Sequence, residues 1–144
     1  MAAPAVAAAV LAGTAVASAV PSRPLARGAV LATGVAPGPI VVRTRADAAR
    51  AVAPLRPADR RRLLALDLRV RAAVVVFRGF PSCGHEVSVV RLERAGSQLR
   101  VDFRTTVPPP GAMVCQALTT AYDAVSVPRS AVAGVTRVVL RKAG

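Results

Sequence analysis

The sequence is poor in the side chains that carry most enzyme chemistry. Its 144 residues include one histidine, His85, seven carboxylates and no tryptophan. Acid–base catalysis and metal binding both need such groups in number, so the composition argues against an enzyme and against a metal or other cofactor. Aromatic residues are scarce as well, and the expected ring anchors of a valine- and leucine-rich core are Phe77, Phe80, Phe103 and Tyr122.

Lysine is almost missing, and the net charge of +13 comes from arginine and the single Lys142. A basic excess of this size raises nucleic acid as a partner. Nucleic-acid modules, however, interleave basic residues with stacking aromatics, whereas the arginines here are spread along the chain with one run at 60–62. We therefore predict no nucleic-acid binding, and we expect an anionic surface or partner instead.

The first residues have the pattern of a secretory signal peptide. Residues 1–20 carry no charged side chain, and their apolar run ends in Ala17-Ser18-Ala19, which meets the small-x-small requirement of a signal peptidase. We expect cleavage after Ala19 and a secreted, extracellular protein. An uncleaved anchor and an alanine-rich disordered tail are the alternatives.

A linker and one folded domain are predicted to follow the leader. Residues 20–38 alternate Pro, Gly, Ala and Arg without a sustained period, which is typical of a flexible segment. The predicted organisation is a signal peptide over 1–19, a flexible linker over 20–38 and one strand-rich domain over 39–144.

The domain begins with signals for one strand and two helices. Thr44 and Asp47 have the spacing of a capping box, in which each side chain accepts from a backbone N–H at the helix start. Pro54 ends that helix, and Pro57 can begin a second one. The predicted elements are a strand over 40–42 and helices over 46–53 and 57–64.

From residue 70 onward the hydrophobic period changes to two, which indicates strands. Gly96 offers a hairpin turn, and three successive prolines, Pro108 to Pro110, cannot continue a ladder. The predicted strands cover 72–77, 87–94, 99–107, 114–119, 122–127 and 135–140. The expected fold class is α+β, a mostly antiparallel β-sheet assembly with one or two short helices near the start of the domain.

The two cysteines allow three interpretations. Cys83 and His85 offer a thiol and an imidazole, but residues two apart in extended chain are about 6–7 Å from each other, too far for a nucleophile pair. With Cys115 they make three metal ligands that lack the usual paired spacing. The interpretation we favour is a Cys83–Cys115 disulfide, since a short exported chain commonly carries one.

One stretch of sequence resembles a known family. Val76-Phe77-Arg78-Gly79, then Gly84 and its following strand, precede a block from Thr106 to Thr119 in which a proline-rich turn leads to Gly, Met and Gln-Ala-Leu-Thr. From about residue 66 to 128 this resembles the C-terminal domain of the protease complex subunit PrcB family. The family tends to have Gly-Gly-Tyr where this chain reads Cys83-Gly84-His85. The resemblance implies accessory binding to a secreted protease and brings no catalytic residues.

The residues best suited to contact a partner form a predicted rim: Gly79, Gly84, His85, Pro108, Pro109, Pro110, Gly111, Met113 and Gln116. A rigid Pro-Gly loop binds a protein at low entropic cost, although the same residues also shape the backbone, and spacing does not separate the two roles. We expect a secreted, non-enzymatic binding or accessory domain that associates with, and stabilises or regulates, an extracellular protease. The alternative is a structural cell-envelope protein held by its basic surface to anionic polymers or lipids.

Overall fold

Two four-stranded sheets form the frame of the protein. The structure, a computed structural model, describes residues 16–31 and 34–144. Sheet I has the order β1-β5-β6-β8 and sheet II the order β2-β7-β4-β3. The strands are β1 Ser18–Ala19, β2 Arg23–Val30, β3 Gly38–Val42, β4 Arg71–Phe80, β5 Glu86–Ala95, β6 Gln98–Thr106, β7 Thr119–Pro128 and β8 Arg137–Lys142. The helices are α1 Arg45–Val52 and α2 Pro57–Leu64, and a 3-10 turn covers Arg129–Ala131.

The core has two layers that share β4. Alternate residues of this strand face sheet I or the two helices: Val74 and Val76 pack between the sheets, whereas Val75 and Phe77 pack under the helices. All four are at most 1% exposed. The continuous apolar run in the sequence is therefore a strand covered on both faces, as predicted.

Local signals in the sequence identified both helices and the hairpin. The Thr44 hydroxyl accepts from the Asp47 N–H, and the Asp47 carboxylate accepts from the Thr44 N–H, both at 3.1 Å. This capping box begins α1, and Pro57 stands in the first turn of α2. Gly96 has a positive φ of 59° in the two-residue turn between β5 and β6. These three predictions are confirmed.

The mostly antiparallel α+β prediction is confirmed, but the predicted position of the helices is not, because both follow β3 instead of standing near the start of the described fold. Among the described strand pairs, β6–β8 is parallel and the others are antiparallel. The strand predicted over 114–119 is wrong, since pairing starts at Thr119. The last strand begins at Arg137 instead of residue 135.

The flexible linker predicted over 20–38 is wrong. Its residues Arg23–Val30 form β2, which pairs antiparallel with β7, and Gly38 begins β3. The small residues there serve packing: Ala26 is 6% exposed, and a Cβ on Gly28 would lie 2.7 Å from the Tyr122 hydroxyl. Glycine is needed at position 28 because the hydroxyl end of Tyr122 lies directly against the strand there.

The predicted leader lies mostly outside the described residues. Its last two residues, Ser18 and Ala19, pair with Arg94 and Glu93 of β5, and Val20 is 9% exposed in the core. Cleavage after Ala19 would thus remove β1 and leave Val20 in place, and it stays a prediction. Within the described part of the chain, no helix is long and apolar enough to cross a membrane.

The buried carboxylate of Asp123 ties the two sheets together. It is 2% exposed and lies where β5 has a register shift between Val89 and Arg91. Asp123 Oδ2 accepts from the Val89 N–H at 2.7 Å and from Arg27 at 3.2 Å. A backbone N–H left without a strand partner is therefore paired inside the core, which holds the start of β5 against sheet II.

Candidate functional site

Two loops leave the same end of the sheets. Residues 81–85, the short loop, join β4 to β5, and residues 107–118, the proline loop, join β6 to β7. Their ends meet because Phe80 pairs with Thr119 and Glu86 pairs with Thr106. The fold thus brings together the two parts of the chain that carry most of the predicted rim.

A disulfide joins the two loops. Cys83 and Cys115 are bonded with their Cα atoms 5.2 Å apart, and the Cys83 N–H donates to the Cys115 carbonyl at 3.1 Å. This confirms the predicted pairing. Because both sulfur atoms are in the bond, neither is a free nucleophile or a metal ligand. Among residues 16–31 and 34–144, no group of three His, Cys, Asp or Glu side chains is placed to hold a metal ion.

His85 has a structural place in the short loop. Its ring stacks on Phe80, with centroids 4.5 Å apart and planes 11° from parallel. Its Nδ1 lies 3.2 Å from the Ser82 carbonyl, which also accepts from the Thr119 hydroxyl at 2.9 Å. The imidazole therefore helps to fix the conformation of the short loop. It is half-buried, although it was predicted to belong to the partner-binding rim.

Gly84 is the point where the short loop touches the proline loop. Its φ is +89°, and a Cβ there would lie 2.9 Å from Cγ of Pro108. Both the backbone conformation and the close approach require glycine. Gly111, at the tip of the proline loop, also has a positive φ of 80° but no described atom within 4 Å of an added Cβ. Gly79 has neither feature, so the structure gives no steric reason for that glycine.

The proline loop displays an apolar surface. Met113 is 102% exposed, and Val107, Leu118 and Val114 are 67%, 65% and 36% exposed. Pro109, Pro110 and Gln116 are exposed beside them, while Pro108 is half-buried against Gly84. Val107, Val114 and Leu118 were not predicted as surface residues, because their hydrophobic alternation predicts strands. Hydrophobic side chains beside a run of prolines were the signal that could have found them.

A cleft opens beside the disulfide. It has a volume of about 380 Å³ and lies between the short loop, the end of β2 and the start of α2, with His85, Glu86 and Arg56 in its wall. Two hydrogen bonds hold Arg56 in this position. Its side-chain Nε donates to the Ala29 carbonyl at 3.2 Å, and its backbone N–H donates to the Tyr122 hydroxyl at 3.2 Å.

Tyr122 connects this wall to α2. Its hydroxyl donates to Asp59 Oδ2 at 2.5 Å, and both side chains are buried. Burial raises the pKa of Tyr122 to about 12, and the hydrogen bond to the Asp59 carboxylate acts in the same direction. The phenol therefore stays neutral and acts as a fixed donor over the physiological range.

Residues 72–128 match a protein-family model described as PrcB C-terminal. The match runs from the second residue of β4 to the last residue of β7, so it includes both loops, the disulfide and the apolar surface. It confirms the resemblance found in the sequence. Comparisons with curated proteins and with solved structures find no match.

Proposed function

From the match of residues 72–128 to the PrcB C-terminal family model, we propose a secreted, non-enzymatic accessory domain that binds another protein through the proline loop. The expected partner class is an extracellular protease, which the domain stabilises or regulates. The partner class rests on the family resemblance, whereas the binding surface rests on the geometry of the loop.

The observation that carries the proposal is a set of exposed apolar side chains on one restrained loop. Met113, Val107 and Leu118 face water, although an apolar side chain of this size contributes about 1.5–3 kcal/mol when it is buried. The Cys83–Cys115 bond and the Gly84–Pro108 contact restrain the backbone that presents them. A loop already ordered before binding loses less conformational entropy on binding, so more of the burial energy appears as affinity.

The groups with catalytic potential at this end are already engaged. The two sulfur atoms form the disulfide, and His85 is stacked on Phe80 beside the Ser82 carbonyl. Glu86 remains in the wall of the cleft, but a lone carboxylate without a nucleophile or an oriented base makes a poor hydrolytic site. This arrangement supports a binding role over an enzymatic one.

Affinity capture from the culture medium of the source organism tests the proposal. The bait is the full chain, compared with Met113→Ser/Leu118→Ser and with Val90→Ser, an exposed apolar position on β5 outside the loops. We expect wild type and Val90→Ser to retain the same protein, and the loop variant to retain at least tenfold less. Equal retention by all three contradicts the proposal, as does turnover of a substrate by the purified protein.

A wash at high salt distinguishes binding through the proline loop from electrostatic retention of the protein in the cell envelope. At about 1 M salt the screening length falls to roughly 3 Å, so binding through dispersed arginines should be lost. A packed interface around Met113 should survive that wash. Mass spectrometry of the retained protein then decides whether the partner is a protease.

A further inference from the structure

A second exposed apolar surface lies at the other end of β4 and β7. It is a groove between α1, the end of α2 and residues 65–70, with a volume of about 1060 Å³. β4 has ten residues, so its two ends, and with them the groove and the disulfide-linked loops, are roughly 30 Å apart. This leucine groove, named for the four leucines Leu63, Leu64, Leu66 and Leu68 in its wall, lies outside the family match.

The apolar lining continues to the protein surface. Leu63 is 1% exposed at the bottom, Leu66 and Leu68 are partly buried, and Leu64 is 59% exposed at the edge. Val70 lies just outside the groove wall, where its carbonyl accepts from the N–H of the lining residue Arg129, and it is 61% exposed. Two large apolar side chains therefore stand out into solvent where a folded core would not need them.

The segment that forms most of the groove wall is strongly basic, and Arg45, Arg69 and Arg129 line the groove itself. Residues 43–71 contain nine arginines and three aspartates, and nine minus three leaves +6 of the total +13 in this one segment. Each aspartate is paired with an arginine of the segment: Asp47 with Arg50, Asp59 with Arg62 and Asp67 with Arg69. Arg45 lines the groove, and Arg61 lies three positions before Leu64 on α2, on the same side of that helix. Both are exposed and make no ion pair with any residue that the structure describes. Their guanidinium groups are available to an anionic ligand.

The backbone of the groove wall offers little to a bound peptide. The Thr44 carbonyl accepts from Ala48 and the Leu63 carbonyl from Leu66. The Leu68 carbonyl accepts from Arg129 Nη1 at 2.6 Å, and the Asp67 carbonyl accepts from the Arg71 N–H at 2.9 Å. A peptide main chain that lay beside these four carbonyls would leave N–H groups unpaired opposite them, at a cost. A hydrocarbon chain forms no hydrogen bonds, so it can contact this wall without leaving any of its own groups unpaired.

We propose that the leucine groove docks on an anionic phospholipid surface. Phosphate groups pair with Arg45 and Arg61, because guanidinium matches phosphate geometry in a bidentate manner. Leu64 and Val70 enter the boundary between headgroups and acyl chains, as apolar residues of interfacial proteins do. The proline loop, about 30 Å away, then faces away from the bilayer. The inference does not depend on the protein-binding function of that loop.

Vesicle cosedimentation of the full chain tests the inference. The probes are vesicles of phosphatidylglycerol mixed with phosphatidylcholine, and vesicles of phosphatidylcholine alone. Arg45→Gln/Arg61→Gln is compared with Arg23→Gln/Arg104→Gln, which removes the same charge at exposed positions outside residues 43–71. Arg45 stands at the first position of α1, where a cation opposes the helix dipole, so its removal does not threaten folding. A third variant, Leu64→Asn, is compared with Val90→Asn.

Wild type should bind the anionic vesicles and leave the neutral ones in solution. Each of these two arginines should contribute about fivefold to the affinity, so Arg45→Gln/Arg61→Gln should bind roughly 25-fold more weakly while the control double variant changes far less. Leu64→Asn should weaken binding more than Val90→Asn. Equal losses in the two double variants would show a diffuse charge effect and overturn the site, as would wild-type protein that ignores the anionic vesicles. Circular dichroism confirms that every variant is folded.

Discussion

Gly84 lies against the ring of Pro108, so that a Cβ on Gly84 would be 2.9 Å from Pro108 Cγ. This contact and the adjacent disulfide hold the short loop and the proline loop together. Tight binding through the proline loop depends on that restraint, because a freely moving loop would lose conformational entropy each time it bound a partner.

Alanine substitutions at Gly84 and Gly111 distinguish the effect of the Gly84–Pro108 contact from the effect of positive φ. Gly84→Ala and Gly111→Ala both place a side chain at positive φ, which costs roughly 1–2 kcal/mol. Gly84→Ala also forces Pro108 away, so we expect its loss of unfolding free energy to exceed that of Gly111→Ala by about 1 kcal/mol or more. Urea unfolding followed by circular dichroism measures both. Equal losses would show that the two loops do not press on each other.

Removal of the disulfide should destabilise the whole domain. Cys83 and Cys115 are 32 residues apart, and opening a loop of that length costs about 3–4 kcal/mol on the chain-entropy model. We expect Cys83→Ser/Cys115→Ser and reduced wild type to lose this amount alike in urea unfolding. A loss below about 1 kcal/mol in both would mean that the bond contributes little to the native fold.

The only tyrosine in the sequence gives a specific pH test. The pKa of Tyr122 is raised from 10.0 to about 12. A raised pKa in the folded state contributes stability that is fully present below the unfolded value near 10 and is lost as pH rises toward 12. Ultraviolet absorbance should therefore show phenolate forming near pH 12, together with loss of structure, and Tyr122→Phe should lack this component of the pH dependence. Phenolate formation near pH 10 in folded protein contradicts the burial of Tyr122.

Two further glycines test the placement of β2 in sheet II. A Cβ on Gly28 would lie 2.7 Å from the Tyr122 hydroxyl, whereas one on Gly79 of β4 has no described atom within 4 Å. We expect Gly28→Ala to cost about 1–3 kcal/mol through overpacking. Gly79→Ala should be neutral or stabilise by up to about 1 kcal/mol, since it restricts the unfolded chain. If Gly28→Ala is as harmless as Gly79→Ala, residues 23–30 do not pack against β7.

Sequence predicted those parts of the fold that depend on neighbouring residues. The Thr44–Asp47 capping box is made by side chains three positions apart, and the turn at Gly96 depends on one backbone angle. β4 was recognisable because a continuous apolar run fits a strand covered on both faces. β2 was not, because its glycine and alanines look like a linker until Tyr122, far along the chain, is placed against Gly28.

The candidate site was predictable only in part. Two cysteines in a short chain leave one intramolecular pairing, so Cys83 and Cys115 were found. The family block pointed to the prolines and Met113. Val107 and Leu118 were missed, because alternation predicted strands through a segment whose backbone has no strand partner. The leucine groove was missed for a different reason: its lining comes from α1, α2 and Arg129, which only the fold brings together.

The central claim is that the exposed proline loop, around Met113, is the surface that binds another protein. Its most direct test is site-specific photo-crosslinking, with a benzophenone amino acid at position 113 in one protein and at position 90 in another. Both proteins are irradiated in the culture medium of the source organism. The account predicts one dominant crosslinked protein from position 113 and none of that protein from position 90. The same crosslinks from both positions, or none from position 113, would contradict it.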